Sequence, residues 1–321
     1  MVNSLRVVFF GTPAFALPTL EAIQESHHSL AAVVTQPDRA RGRGQRLTPS
    51  VVKTRAVEMG VPVLQPTRLR DEPFSAQISA LQADIGVVAA YGRILPPPLI
   101  EMPRLGMVNV HASLLPRWRG AAPVHRAILA GDRETGVTIM RIVPALDAGP
   151  MMARGVVAIG PNETSAQLEA RLAALGGPLL IETLSRLAEG PVPEEPQDES
   201  AVTYAARLER HEGEVAWAQP AARVHDRIRG LQPWPLAAAR LHGHRLLLIG
   251  SEVAGESPDP SALPGTIIGL QGGAMIVATR PGAVRLVRIQ PEGRPPMSVR
   301  AFLNGHPAQT GDRFEPVARH S

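Results

Sequence analysis

The sequence predicts an α/β protein, an open parallel-type sheet with helices on both faces, followed by a small OB-like β-barrel. Short β-branched runs alternate with helix-period segments through the first half. A proline-rich acidic stretch then interrupts the chain, and beyond it short strands are separated by glycine-containing turns. With 321 residues there is room for two cores. The expected boundaries are 1–188, a linker at 189–205, and 206–321.

Leu5–Phe10 reads as a buried strand, and Gly11-Thr12-Pro13 turns the chain into a helix near Phe15–Glu25. Leu30–Thr35 is a second strand, Ser50–Met59 a helix and Ile85–Ala90 a third strand. Met107–His111 and Val137–Ile142 follow, with a helix around Ala122–Gly131 between them. Alternation of this kind is that of βαβ crossovers and a parallel sheet. Thr164, with Gln167 three residues on, caps a long amphipathic helix to about Leu187. From Glu189 to Gln197, three prolines and an acidic cluster end it. Pro220–Gly230 is helical with Val224 and Ile228 on one face. Strands follow at Ala237–Leu241, Arg245–Ile249, Gly265–Leu270, Ala274–Thr279 and Ala283–Ile289, a pattern that closes into a small barrel.

Composition narrows the function classes. No cysteine is present, which excludes disulfides, thiolate nucleophiles and Cys-ligated zinc. Apolar runs such as Val87–Tyr91 are far shorter than the ~20 residues that a membrane helix needs. Leu5–Phe10 is too short for a signal-peptide core, so a cytoplasmic, metal-free protein is expected. All basic residues but Lys53 are arginine. Residues 1–205 balance 19 basic against 19 acidic side chains, whereas 206–321 hold 14 against 10, so the whole net charge of +4 lies in the last third. That asymmetry suits a polyanionic partner, and arginine richness from genomic composition accounts for it equally.

Phe10-Gly11-Thr12-Pro13 has one glycine where a dinucleotide fingerprint needs three, so a nicotinamide cofactor is not expected. The strongest chemical signal is Asn109-Val110-His111-Ala112-Ser113-Leu114-Leu115-Pro116. Asn109 and His111, two apart on a strand, point to one face at the edge where open α/β sheets bind ligands. An amide donor beside an imidazole suits acyl transfer, and a satisfied polar edge is the plainer alternative. Asp147, in the loop Leu146-Asp147-Ala148-Gly149-Pro150, is expected to leave the same edge of the sheet as His111; its plainer reading is a turn residue. His242-Gly243-His244 reads as an exposed turn without a nearby carboxylate, and His27-His28 as solvated at a helix end. His125 and His225 read as packing or capping residues on helices.

Asn-x-His-x-Ser-Leu-Leu-Pro at 109–116, followed by Arg117-Trp118-Arg119-Gly120-Ala121-Ala122-Pro123 and the Asp147 loop, resembles the 10-formyltetrahydrofolate-dependent formyltransferases. Phe10-Gly11-Thr12-Pro13, Thr35-Gln36-Pro37-Asp38, Ala90-Tyr91-Gly92, Thr135-Gly136-Val137-Thr138, Ile228-Arg229-Gly230 and Pro233-Trp234-Pro235 extend the resemblance nearly end to end. It implies a Rossmann-like formyltransferase domain with Asn109, His111 and Asp147 as the catalytic trio. It also implies that Ser113, Leu114, Leu115 and Pro116 line the folate site, with Tyr91, Arg93 and Ile94 walling the pterin pocket by backbone contacts. The implied donor is 10-formyltetrahydrofolate, without a metal, and the implied partner is initiator methionyl-tRNA, met by a monomer. Leu236 stands where the family usually has glycine, and Arg294-Pro295 where lysine is common.

Arg39, Arg41, Arg43 and Arg46 crowd one short loop with two glycines. Guanidinium pairs bidentately with phosphate, and the resemblance makes this loop a tRNA contact; a solvated surface loop is the plainer alternative. Arg223 and Arg227 on the second-domain helix are further tRNA candidates. Aromatic residues are scarce there, so backbone electrostatics rather than base stacking is expected.

Overall fold

Continuous apolar runs lie at the centre of the first unit, as a sheet covered on both faces requires. The computed structural model describes residues 3–41, 46–255, 259 and 261–315. The chain forms two compact units: Met1–Pro123, Glu134–Val157 and Glu169–Ala205 make the first, and Val124–Arg133, Ala158–Leu168 and Ala206–Ser321 the second.

In the first unit, the strands are β1 (Arg6–Gly11), β2 (Ser29–Val34), β3 (Arg39–Arg41), β4 (Arg46–Thr48), β5 (Val63–Leu64), β6 (Ile85–Ala89), β7 (Met107–His111), β8 (Arg119–Gly120), β9 (Glu134–Arg141), β10 (Met151–Ala158) and β11 (Tyr204–Ala205). The main sheet has the order β10-β9-β7-β6-β1-β2-β5. Parallel pairing runs from β7 through β6, β1 and β2 to β5. Helices α1 (Leu17–Glu25), α2 (Val51–Glu58), α3 (Glu72–Ala80) and α4 (Pro97–Ile100) connect these strands. Val7 to Phe10 have no exposure at all, and Phe10 meets Tyr91 edge-on with ring centroids 5.5 Å apart. Burying side chains of this size contributes about 1.5–3 kcal/mol each.

The parallel pattern stops at β9. Val108 to His111 pair antiparallel with Arg141 to Thr138, so β9 runs away from the edge where His111 sits. Asp147 therefore does not leave the sheet at that edge, contrary to the sequence expectation. Arg141 N donates to Pro150 O at 2.9 Å, closing residues 142–150 into a loop that returns Asp147 to His111. Segment 189–205 packs onto the first unit through a Met151–Glu195 bridge and the β8–β11 pair.

His27-His28 also departs from expectation. His28 is 5% exposed, and its Nδ1 accepts from Leu5 N at 3.2 Å, because the chain entering β1 runs directly over it. Burial, with His27 beside it, lowers its pKa to about 4. On acidification the unfolded chain therefore takes up this proton first, near pH 6.5. The stability that the neutral ring contributes is complete above that pH, is lost progressively down to about pH 4, and changes no further below. In urea unfolding at pH 7 and pH 4.5, His28→Gln should lose less stability than the wild type; equal losses would contradict this assignment.

The second unit begins with α5 (Pro123–Ala130) and the first turn of α6 (Ser165–Glu189). The expected capping box is present: Thr164 N donates to Gln167 Oε1 at 2.9 Å, and Gln167 N to Thr164 Oγ1 at 3.4 Å. After α7 (Ala221–Gly230), β12 (Ala237–Leu241), β13 (His244–Gly255), β14 (Ile267–Gln271), β15 (Ala274–Ala278), β16 (Ala283–Pro291) and β17 (Met297–Ser298) form an antiparallel sheet ordered β12-β13-β16-β15-β14. Arg240 of β12 bridges Glu315, and Thr266 beside β14 bridges Arg313, so the last described residues join the two sheet edges. A small barrel results, as expected. Val224 and Ile228 of α7, and Phe302 of α8 (Val299–Gly305), fill its core. Leu236 adopts a left-handed backbone with φ +69°, consistent with glycine being usual there in the family it resembles. His242 and Gly243 form the β12–β13 turn, with His242 Nε2 3.1 Å from Asp312 Oδ2, a carboxylate that the sequence reading did not foresee.

Among the described residues no helix is long and apolar enough to cross a membrane, and no group of three or more His, Cys, Asp or Glu could hold a metal ion.

Candidate active site

Strand β7 fixes Asn109 between Val88 of β6 and Met140 of β9, so two ladders hold its backbone. The Asn109 side chain is half-buried and makes no hydrogen bond among the described residues. His111, two residues on, is buried at 5% exposure. Its Nε2 lies 2.9 Å from the Trp118 carbonyl oxygen, which can only accept, so Nε2 carries the proton. Nδ1 then faces Asp147, whose Oδ2 is 3.8 Å away. That distance is too long for a hydrogen bond, but a charge on the ring is felt across it.

Asp147 has φ +45°, a left-handed conformation that Asp visits more readily than most residues with a side chain. Its Oδ2 also accepts from Gly120 N at 2.9 Å. The structure thus brings Asn109, His111 and Asp147 together from one strand and one returning loop.

The 113–116 segment is held by contacts of its own. Ser113 Oγ donates to Arg117 O at 2.6 Å. Thr138 Oγ1 donates to Ser113 O at 2.7 Å and accepts from Leu115 N at 3.2 Å, which pins the loop to β9. Leu115 is buried with Met140 and Met151, whereas Leu114 and Pro116 are half-buried. Ser113 and Leu115 therefore shape the loop, and their side chains do not project from it. Thr138, quoted among the sequence matches but given no role there, is the residue that holds it.

After β6, the Tyr91 ring turns into the core, and its carbonyl accepts from Gln36 Nε2 at 2.7 Å and Thr12 Oγ1 at 3.1 Å. Burial pushes the Tyr91 phenol above its usual range. Arg93 Nη1 donates to Pro66 O and Thr67 O, each at 3.0 Å. Ile94 is 86% exposed, as is Leu146 at 57%, on the loops that follow β6 and β9, the two neighbours of β7.

Arg39 and the backbones of Arg41 and Arg46 lie in the β3–β4 hairpin; Arg43 falls outside the described residues. Arg39 Nη2 donates to Gln36 Oε1. Lys53 and Gln65, both bonded to the neighbouring Asp38, hold its carboxyl below the usual range. In the second unit, Arg223 Nη1 donates to Leu129 O and Ala130 O at 3.2 and 2.6 Å, satisfying carbonyls at the end of α5. Arg227 Nη1 donates to Glu212 O at 2.6 Å. Both side chains thus have structural bonds, which charge alone did not reveal.

A model of the family described as formyl transferase matches residues 5–184, and its C-terminal domain matches 207–307. The chain belongs to the formyl transferase family. It is 49% identical over 310 residues to the methionyl-tRNA formyltransferase of Methylococcus capsulatus, covering 97% of this chain and 99% of that one. It is 46% identical over 311 residues to the enzyme of the same name from Roseobacter denitrificans, again covering 97% and 99%. Among solved structures it resembles the N-formyltransferase from Helicobacter canadensis in complex with folinic acid and dTDP-3-aminofucose, with TM-score 0.65 and 16% identity over 89% of this chain and 99% of that one. That likeness is one of fold.

Proposed function

We propose that this formyl transferase moves the formyl group of 10-formyltetrahydrofolate to the α-amine of methionine on initiator tRNA. The observation that carries this is the match along almost the whole chain to methionyl-tRNA formyltransferases, at up to 49% identity. The facing of His111 by Asp147, beside Asn109, supports it. In this reading residues 1–188 perform transfer, 206–321 hold tRNA and 189–205 connect them.

Bound beside β7, the folate supplies a formyl carbon on N10. The Asn109 amide would donate to the oxygen that gains negative charge as the amine adds, and one such donor typically accounts for ~2.7–4 kcal/mol of barrier lowering. His111, set between Trp118 O and Asp147, would move a proton, and Asp147 would orient the ring and compensate its charge. Ser113 to Pro116 and Tyr91, Arg93 and Ile94 would wall the folate, largely with backbone. Arg39, Arg41, Arg43 and Arg46 would meet tRNA phosphates, and Arg223 and Arg227 retain donors beyond those bonded to carbonyls.

The test is formylation of charged initiator tRNA with a sugar nucleotide, glycinamide ribonucleotide and water as competing acceptors. Formyl should appear on methionine in preference to the others. Replacing Arg39, Arg41, Arg43 and Arg46 by glutamine should raise KM for tRNA and flatten its salt dependence. Preferential formylation of another acceptor would overturn the reading.

A further inference from the structure

We infer that Gln197 is a positioning residue for the transfer reaction, setting the place of Asp147 opposite His111. This rests on the reading above. Gln197 is 8% exposed, in a stretch whose sequence suggests only a linker. Its Nε2 donates to Asp147 O and to Gly149 O, at 2.8 Å each, so both amide hydrogens go to the loop that carries the carboxylate. Its Oε1 accepts from Arg119 Nε at 2.9 Å. Arg119 is 3% exposed and is held in turn by Glu199, with Nη2 to Oε1 at 2.8 Å.

The carboxamide cannot be turned over. Reversed, its oxygen would face two carbonyls and its amine a guanidinium, in a buried site where unpaired polar groups are costly. Arg119 thus fixes the direction in which Gln197 donates. The next residue, Gly120, donates its N–H to Asp147 Oδ2. Main chain and carboxylate of Asp147 are therefore held from one short strand, β8, the first through Gln197 and the second directly. Both bonds oppose the relaxation of a residue whose φ of +45° is disfavoured by its own Cβ. Gln197 itself has no hydrogen bond to Asn109 or His111 among the described residues, so its effect on the reaction passes through Asp147.

The test is a double-mutant cycle with two substitutions of Gln197. Gln197→Glu keeps the acceptor for Arg119 and removes both donors, and Gln197→Met keeps the volume without charge. Each is made alone and with Asp147→Asn, and kcat, KM for both substrates and the melting temperature are measured. We expect each Gln197 variant to lose about 10- to 100-fold in kcat with KM for folate and tRNA changed by no more than about two-fold. In the Asp147→Asn background the same substitution should have little further effect, because the group it positions is already lost. A loss as large in both backgrounds, a loss confined to KM, or unfolding of both variants would overturn the proposal, the last by making Gln197 a prop of the fold. Failure of the wild type to formylate charged tRNA would instead overturn the reading on which it rests.

Discussion

Asn109→Ala should reduce kcat for formyl transfer by about 10²–10³-fold while the protein melts at nearly its original temperature. The separation of the two effects follows from the side chain's surroundings. The amide is half-buried and makes no hydrogen bond among the described residues, so truncation removes no hydrogen bond that the fold uses. Its backbone remains in two ladders. His111→Ala should reduce kcat at least as much, and it should also lower stability, because it removes a buried ring and its hydrogen bond to Trp118 O. A hydrogen bond of this kind contributes about 0.5–1.5 kcal/mol. His111→Gln separates the roles: its amide can still donate to Trp118 O, but it cannot carry a proton through the reaction. Stability should return in that variant and turnover should not. Single-turnover formylation beside thermal melting reads both quantities, and near-normal turnover in Asn109→Ala would remove the amide from the chemistry.

What the sequence revealed of this site follows the range of the interactions involved. Asn109 and His111 share a strand, and the period of two put them on one face before any fold was known. The α6 capping box, the α7 face carrying Val224 and Ile228, and the barrel strands are equally local, and all lie close to where they were expected. Strand direction is not local. Nothing in Glu134–Arg141 distinguishes antiparallel from parallel pairing, and the alternating, Gly-interrupted Met151–Ala158 gave too weak a signal to be read as its partner. The path that brings Asp147 back to His111 depends on that direction. Arg119, Gln197 and Glu199 meet across some 80 positions, and only the fold shows that a glutamine after three prolines is buried against the Asp147 loop. His28 failed for the same reason: a helix end next to a turn reads as exposed until the chain entering β1 covers it.

Gly136→Ala should be among the most damaging single-methyl additions in the first unit. Gly136 lies in β9, and a Cβ there would stand 2.0 Å from Gly155 O and 2.5 Å from Leu114 Cδ2. The first obstacle is backbone of the neighbouring β10 and cannot rotate away; the second belongs to the segment that lines the proposed folate site. The two strands must part or the 113–116 loop must shift. Overpacking typically costs 1–3 kcal/mol and more when backbone has to move, so about 3 kcal/mol or more is expected. For a unit of this size that lowers the melting temperature by roughly 6–12 °C. Gly155→Ala provides the internal comparison. The atoms nearest its Cβ would be those of the Leu175 side chain, at 3.0–3.2 Å, and a leucine can adjust its rotamer. Gly149→Ala combines both effects, since its Cβ would come within 2.0 Å of Arg141 O and force open the loop that returns Asp147. It should lower stability as Gly136→Ala does and, in the folded fraction, lower kcat as well. Scanning calorimetry of the three variants should rank Gly155→Ala far the mildest; equal melting temperatures for Gly136→Ala and Gly155→Ala would show that β9 and β10 do not pack as closely as this register requires.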